Sequence, residues 1–249
     1  KTVETIDFIG YSKDHQTYIF NDVAIRHGQS YPLNADDYFD LPNNKSLKTL
    51  AASPNIRIGD RPKDPANWLA DIISGWGVQG VISLVGFMGS LFAQQVRDRQ
   101  KSFPFLEIVG EPGTGKSTLL SFFWRLIGRD GYEGIDPNKT TKAGRLRSLS
   151  QTSNMPSVFI ESDRDGAGTG RNSQFNWDEL KNLYDGGTIG TRGVKSAGNE
   201  VYEPPFRGTI VISQNLPVVA SKAVLSRICH LFFALDNQTR DSEAAARRI

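Results

Sequence analysis

The stretch Phe105 to Ile127, FLEIVGEPGTGKSTLLSFFWRLI, constrains the fold more than any other part of the chain. An apolar run (Phe105, Leu106, Ile108, Val109) gives way to Gly110-Glu111-Pro112-Gly113-Thr114-Gly115-Lys116-Ser117-Thr118. Apolar residues then recur at helical spacing through Leu119, Leu120, Phe122, Phe123, Leu126 and Ile127. A strand, then G-x-x-x-x-G-K-[ST], then a helix is the context in which that pattern predicts a phosphate-binding loop. The same glycines without those flanks would read as an ordinary turn.

The residue types suit the chemistry. Glycines at 110, 113 and 115 let the backbone take positive φ and crowd its N–H groups around phosphate oxygens. The helix that follows presents its positive end to the same anion. Lys116 is a compact cation for β- and γ-phosphates, and the Ser117 hydroxyl suits Mg²⁺. ATP and Mg²⁺ are therefore the expected ligands, held by residues 110 to 118.

A chain of 249 residues can bury a full core as one sizeable domain, or one domain with an appendage. Its net charge of +2 is too small to imply nucleic acid, so any basic patch must be local. One cysteine, Cys229, excludes an intrachain disulfide and a cysteine zinc cluster, which points to a reducing cytosol. Residue 1 is Lys, and the last residues stop inside a helical-looking run, so both ends read as cuts from a longer polypeptide. Ile72 to Val96 carries no charge and is long enough to span a bilayer, but serines, glutamines and five glycines interrupt it. The expectation is a buried helix that approaches a neighbour closely at Gly86 and Gly89, with no membrane.

Along the chain, residues 1–62 read as a small β-rich appendage with a linker. A hairpin is expected at Thr17–Arg26 around Asn21-Asp22, with further strands at Ile6–Ile9 and Ile56–Ile58. His15 and His27 fall there and read as surface or turn residues. Residues 63–102 form a helical segment: Asp64-Pro65 opens a helix, and Gly75 and Gly77 end or bend it before the long apolar helix. Residues 103–249 carry the core. Within it, Thr141–Ser150 is expected as a basic helix, Phe175–Tyr184 as a helix, and residues 165–173 as a Gly-rich polar loop.

A second landmark is Val158-Phe159-Ile160-Glu161-Ser162-Asp163, an apolar strand ending in acids. In a parallel sheet its carboxyl end should lie beside the phosphate loop. Strand alternation then sends Glu161 and Asp163 to one side, Glu161 to order the metal shell and either acid to polarise the attacking water. Residues 186–207 make two β-prone arms around a polar tip, with Arg192 and Lys195 placed to grip a phosphate backbone. Thr209–Gln214 is a buried-type strand leading to Asn215, which can bond a γ-phosphate or its attacking water. Cys229 and His230 fall in a final strand and read as packed residues.

In sequence, GEPGTGKST (110–118), VFIESD (158–163), TIGTRGVKSAGNEVYEPPF (188–206) and TIVISQNLP (209–217) resemble the superfamily 3 helicase core of the AAA+ ATPases. The likeness is to primase–helicases of phages, plasmids and integrated mobile elements, and SRICHLFF (226–233) extends it. The resemblance implies an α/β P-loop core, a parallel sheet flanked by helices, with a presensor β-hairpin. It further implies a hexameric ring on single-stranded DNA, with a primase domain in the full-length polypeptide as a possible companion. Arg227 would then be an arginine finger reaching a neighbour's γ-phosphate, and Lys195 a channel contact. The family's adjacent acid pair is split here as Glu161-Ser162-Asp163, which leaves two candidates for the base. Two other functions use such a core without unwinding, a nucleotide-switched loader and an ATPase of antiphage defence.

Overall fold

The computed structural model describes residues 2–59, 64, 66, 68–160, 175–193, 200–235 and 239–249. It begins with seven short strands: β1 (Val3–Ile6), β2 (Ile9–Ser12), β3 (Thr17–Ile19), β4 (Val23–Arg26), β5 (Gln29–Pro32), β6 (Phe39–Leu41) and β7 (Lys45–Thr49). The hairpin expected around Asn21-Asp22 is present as antiparallel β3 and β4. The strand expected at Ile6–Ile9 is instead two strands that break at residues 7 and 8. No strand forms at Ile56–Ile58, where the amide of Ile56 donates to the Asn21 side chain and that of Arg57 to the Gly128 carbonyl. Those amides are satisfied by a side chain and a loop, so no ladder partner is needed. His15 closes the β2–β3 turn, with Nδ1 2.6 Å from the Ser12 hydroxyl and Nε2 2.9 Å from the Glu4 carboxylate.

A long helix follows, α1 (Leu69–Gly89); Pro65, in the opening expected for it, lies outside the described residues. It bends at Gly77 (φ 60°, ψ −148°), and a short 3-10 turn joins it to α2 (Ala93–Gln100). This run is long and apolar enough to cross a membrane. One face, with Ile72, Trp76, Leu84 and Phe87, packs into the core, while Ile73, Val78, Val85 and Phe92 stay exposed. The helix is thus buried along one face, as a core helix is, and exposed along the other. Gly86 is a point of close approach, as expected, since a Cβ there would lie 3.2 Å from Leu106.

The remaining elements are β8 (Phe105–Gly110), α3 (Lys116–Leu126), α4 (Lys142–Ser150), β9 (Thr152–Ser153), β10 (Pro156–Ile160), β11 (Arg192–Gly193), β12 (Val201–Tyr202), β13 (Thr209–Gln214), α5 (Lys222–Leu225), β14 (Ile228–Phe233) and α6 (Arg240–Arg248). Four of them form a wholly parallel sheet in the order β10-β13-β8-β14. Strands buried on both faces need continuous apolar runs, and FLEIVG and TIVISQ supply them. Successive side chains alternate between two cores. Leu106, Ile108, Val158 and Val211 face Phe87, Leu119 and Phe123. Phe105, Phe159, Ile210 and Ile212 face Trp177, Leu180 and Val224. Full burial of a side chain such as Phe123 stabilises the fold by about 1.5–3 kcal/mol. The segment expected as a helix at Phe175–Tyr184 is a 3-10 helix, Trp177–Leu183, started by the Asn176 side chain accepting from the Asp178 amide.

The amino-terminal strands and the core share a sheet. β2 pairs in parallel with β9, which immediately precedes β10. At that junction Asn154 is fully buried in a left-handed conformation (φ 51°). Its amide donates to the Arg207 carbonyl, its Oδ1 accepts from the Gln94 amide, and its Nδ2 donates to Gln95 at 2.6 Å.

Candidate nucleotide site

The phosphate loop leaves the carboxyl end of β8 and closes into α3, whose first residue is Lys116. Thr114 tightens the turn by donating its hydroxyl to the Glu111 carbonyl at 2.8 Å. Gly113 (φ 91°) and Gly115 (φ 79°) take the left-handed conformations the pattern anticipates. At Gly115 there is a second reason for glycine. A Cβ there would lie 2.9 Å from the indole nitrogen of Trp76 and 3.3 Å from its ring carbons. Trp76 thus backs the loop from α1, buried and with no hydrogen-bond partner for its N–H among the described residues.

Lys116 is 8% exposed and curls over the loop. Its ammonium donates to the Gly110 carbonyl, to the Glu111 carbonyl at 3.0 Å and to the Thr114 hydroxyl at 3.3 Å. It also reaches the Asn215 side-chain oxygen at 3.3 Å, across 99 positions of sequence. The structure therefore brings Lys116 and Asn215 together, because β8 and β13 are adjacent and parallel and both end at the same edge. Beside them opens a cavity of about 740 Å³, lined among others by Gly113, Ser117, Ser121, Tyr132, Ile160 and Asn215. Main-chain amides at the start of α3, a cation and a hydroxyl facing such a cavity fit a nucleoside triphosphate and the metal that accompanies it. Among the described residues no cluster of three or more His, Cys, Asp or Glu offers a separate metal site.

β10 ends in the cavity wall at Ile160. Glu161 and Asp163 lie outside the described residues, as do Lys195 and the loop 165–173. Arg192 forms β11, antiparallel to β12, so the expected hairpin arms exist. Arg227 does not join Lys116. It precedes β14, at the opposite end of the sheet, where its guanidinium donates to the Ala223 carbonyl and lies over the Tyr184 ring at 5.3 Å. Cys229 is exposed rather than packed, because β14 is an edge strand with an uncovered outer side. His230 is partly buried against Glu107.

Several residues at the site gave no motif signal. Tyr132 and Glu133 line the cavity beyond α3, and the Arg129 guanidinium stacks over the Tyr132 ring at 3.2 Å. Burial holds the Tyr132 phenol above, and the Arg129 guanidinium below, its ordinary range. Glu107 did carry a legible signal: a lone charge inside an apolar strand requires a partner.

Fold and loop define a phosphate-loop α/β protein with a β-rich amino-terminal part. The structure of an SCCmec type IV Cch active helicase matches over 98% of this chain, with a TM-score of 0.51 and 13% identity. This chain spans 43% of that protein's length. At this identity the match establishes a shared fold. The JCV helicase (TM-score 0.39, 15% identity, 69% of this chain and 45% of that one) and the NrS-1 C-terminal region (0.42, 12%, 94% and 64%) are more distant, too much so to carry an argument. No protein-family model and no curated protein matches the sequence.

Proposed function

We propose that the chain is the motor part of an ATP-dependent DNA helicase or translocase, working in the cytosol as a homo-oligomeric ring, a hexamer, on single-stranded DNA. The observation that carries the reading is Lys116, wrapped by its own loop and bonded to Asn215 beside a cavity large enough for a nucleotide. In this reading the amides of residues 113–118 hold the phosphates and Lys116 neutralises charge on the β- and γ-oxygens. Asn215 orients the attacking water, and Glu161 or Asp163 takes its proton. Mg²⁺, held by Ser117 and Glu161, would supply charge neutralisation at the phosphates. Arg227 would act on the neighbouring protomer's nucleotide, and Arg192 and Lys195 would grip DNA. A role in replicating a phage, plasmid or integrated element, with a primase domain elsewhere in the polypeptide, is part of the same proposal.

The test is ATP hydrolysis with and without single-stranded DNA, on particles also imaged for ring formation. DNA should raise the rate several-fold, and Lys195→Ala should remove that stimulation while sparing the basal rate. Hydrolysis that ignores DNA would leave the ATPase standing and remove the motor.

A further inference from the structure

Glu107 sits in the middle of the phosphate-loop strand, wholly buried, with Phe105 and Val109 on its face of the sheet. Its Oε1 accepts from the Gln214 side chain at 2.9 Å and from the Val218 main-chain amide at 2.6 Å. Its Oε2 pairs with Nδ1 of His230, which stands directly across from it on β14. A charge this deep persists only when hydrogen bonds satisfy its oxygens, and here three groups do so. Two of them bracket Asn215. Gln214 precedes it as the last residue of β13, and Val218 ends the short exposed turn Asn215-Leu216-Pro217. Both ends of that turn are therefore tied to one carboxylate on the neighbouring strand. His230 ties the same carboxylate to β14, so β13, β8 and β14 meet at one point behind the turn.

We propose that Glu107 is a positioning residue for Asn215, setting through Gln214 and Val218 where the Asn215 amide stands in the phosphate cavity. The inference rests on the ATPase reading for its kinetic consequence and on geometry alone for its mechanical one. Glu107 is not among the residues that line the cavity; it fixes the main chain from which Asn215 projects. A side chain held about an ångström out of place can lower turnover on the order of 10²-fold while nucleotide still binds through the loop.

The experiment is a double-mutant cycle between Glu107 and Asn215, read as steady-state ATP hydrolysis with thermal unfolding measured alongside. Glu107→Leu should lower kcat on the order of 10²-fold, with KM for ATP within about threefold of wild type. Glu107→Gln keeps one acceptor oxygen for Val218 and should recover much of that loss. In an Asn215→Ala background neither change should lower kcat further, because the group it positions is gone. A merely structural role would instead multiply with Asn215→Ala, and that result overturns the proposal. If the leucine variant does not fold, the glutamine arm decides alone. Amide exchange at residues 215, 216 and 218 needs no hydrolysis: Glu107→Leu, which removes the acceptor for Val218, should speed it there and leave Ile108 and Val211 unchanged. Unchanged exchange at Val218 also overturns the proposal. A wild type that hydrolyses no ATP refutes the ATPase reading, while the exchange result still decides this one.

Discussion

The hydroxyl of Tyr202 donates a 2.8 Å hydrogen bond to the carboxylate of Asp7, joining residues 195 positions apart. Further along the chain, the Arg207 guanidinium lies over the Phe8 ring at 4.5 Å. The exit arm of the β11–β12 hairpin is thus fastened to the link between β1 and β2, and β2 is fastened to β9 at the entrance to β10. In the proposed motor, a hairpin that grips DNA would be braced by the amino-terminal strands.

Tyr202→Phe removes the bond while keeping the ring. Exposed-side hydrogen bonds of this kind contribute about 0.5–1.5 kcal/mol. Amides of residues 192–193 and 201–202 should therefore exchange about 2–10-fold faster, with the parallel sheet unaffected. Equal exchange in the two proteins would mean that the bond does not restrain the hairpin. The contact also has a pH signature. Burial, then the bond to Asp7, then the nearby Asp7 charge raise the Tyr202 phenol above its ordinary value, whereas Arg207 lowers it by less. A raised pKa favours the protonated phenol in the folded state, so the contribution is full at neutral pH and below. It is lost as pH climbs through the raised value, above about 10. The gap in hairpin exchange between wild type and Tyr202→Phe should close in that range.

Asn154→Ala tests the junction where α2, β10 and the hairpin exit meet. It deletes two side-chain bonds in a site with no exposure and leaves the Gln94 amide without its acceptor. It also places alanine at φ 51°, a conformation Asn tolerates better. The expected destabilisation is about 2–4 kcal/mol, read as a lower urea midpoint. Asn154→Gly removes the same bonds without the backbone strain and should be the milder change. A shift below about 0.5 kcal/mol in both would show that the node is dispensable.

What could be read from the residues follows from how local each signal is. β8, its loop and α3 were legible end to end, because an apolar run, a glycine pattern and a helical period succeed one another without overlap. β9 was not, since Thr152-Ser153 has no strand character and forms only because β2 pairs with it. The break between β1 and β2 was hidden for a related reason. Gly10 (φ 114°) packs against the Ser153 backbone, a contact set by distant chain. Cys229 was misjudged because an apolar strand looks the same at the edge of a sheet as in its middle. Asn215 was legible as an amide at the end of a buried-type strand; its meeting with Lys116 follows from the parallel pairing of β8 with β13.

Gly115→Ala should fail for two separable reasons. It strains a backbone at φ 79°, at about 1–3 kcal/mol, and it pushes a methyl into the Trp76 indole. Adding Trp76→Leu to Gly115→Ala should restore part of the lost thermal stability by relieving the contact. Nucleotide binding should not return, because the amide cradle stays distorted. If the pair binds ATP as the wild type does, the loop tolerates what the geometry says it cannot.

Arg227 lies at the start of β14, and β14 runs parallel to β8 in register from Phe105 to Gly110. At roughly 3.3 Å per residue, its main chain stands roughly 20 Å from the loop of its own protomer. Its guanidinium is turned toward Ala223 and Tyr184. Action on its own nucleotide is therefore disfavoured, and the role proposed for Arg227 is on a neighbour's. Arg227→Ala and Lys116→Ala should each lower ATP hydrolysis, the former by about 10³–10⁵-fold if it serves as a finger. Mixed together, the two variants should regain activity at interfaces that join an intact loop to an intact Arg227. The regained rate should rise with the fraction of such interfaces as the mixing ratio is varied. Oligomers shown to be mixed, yet inactive at every ratio, would place Arg227 outside the chemistry altogether.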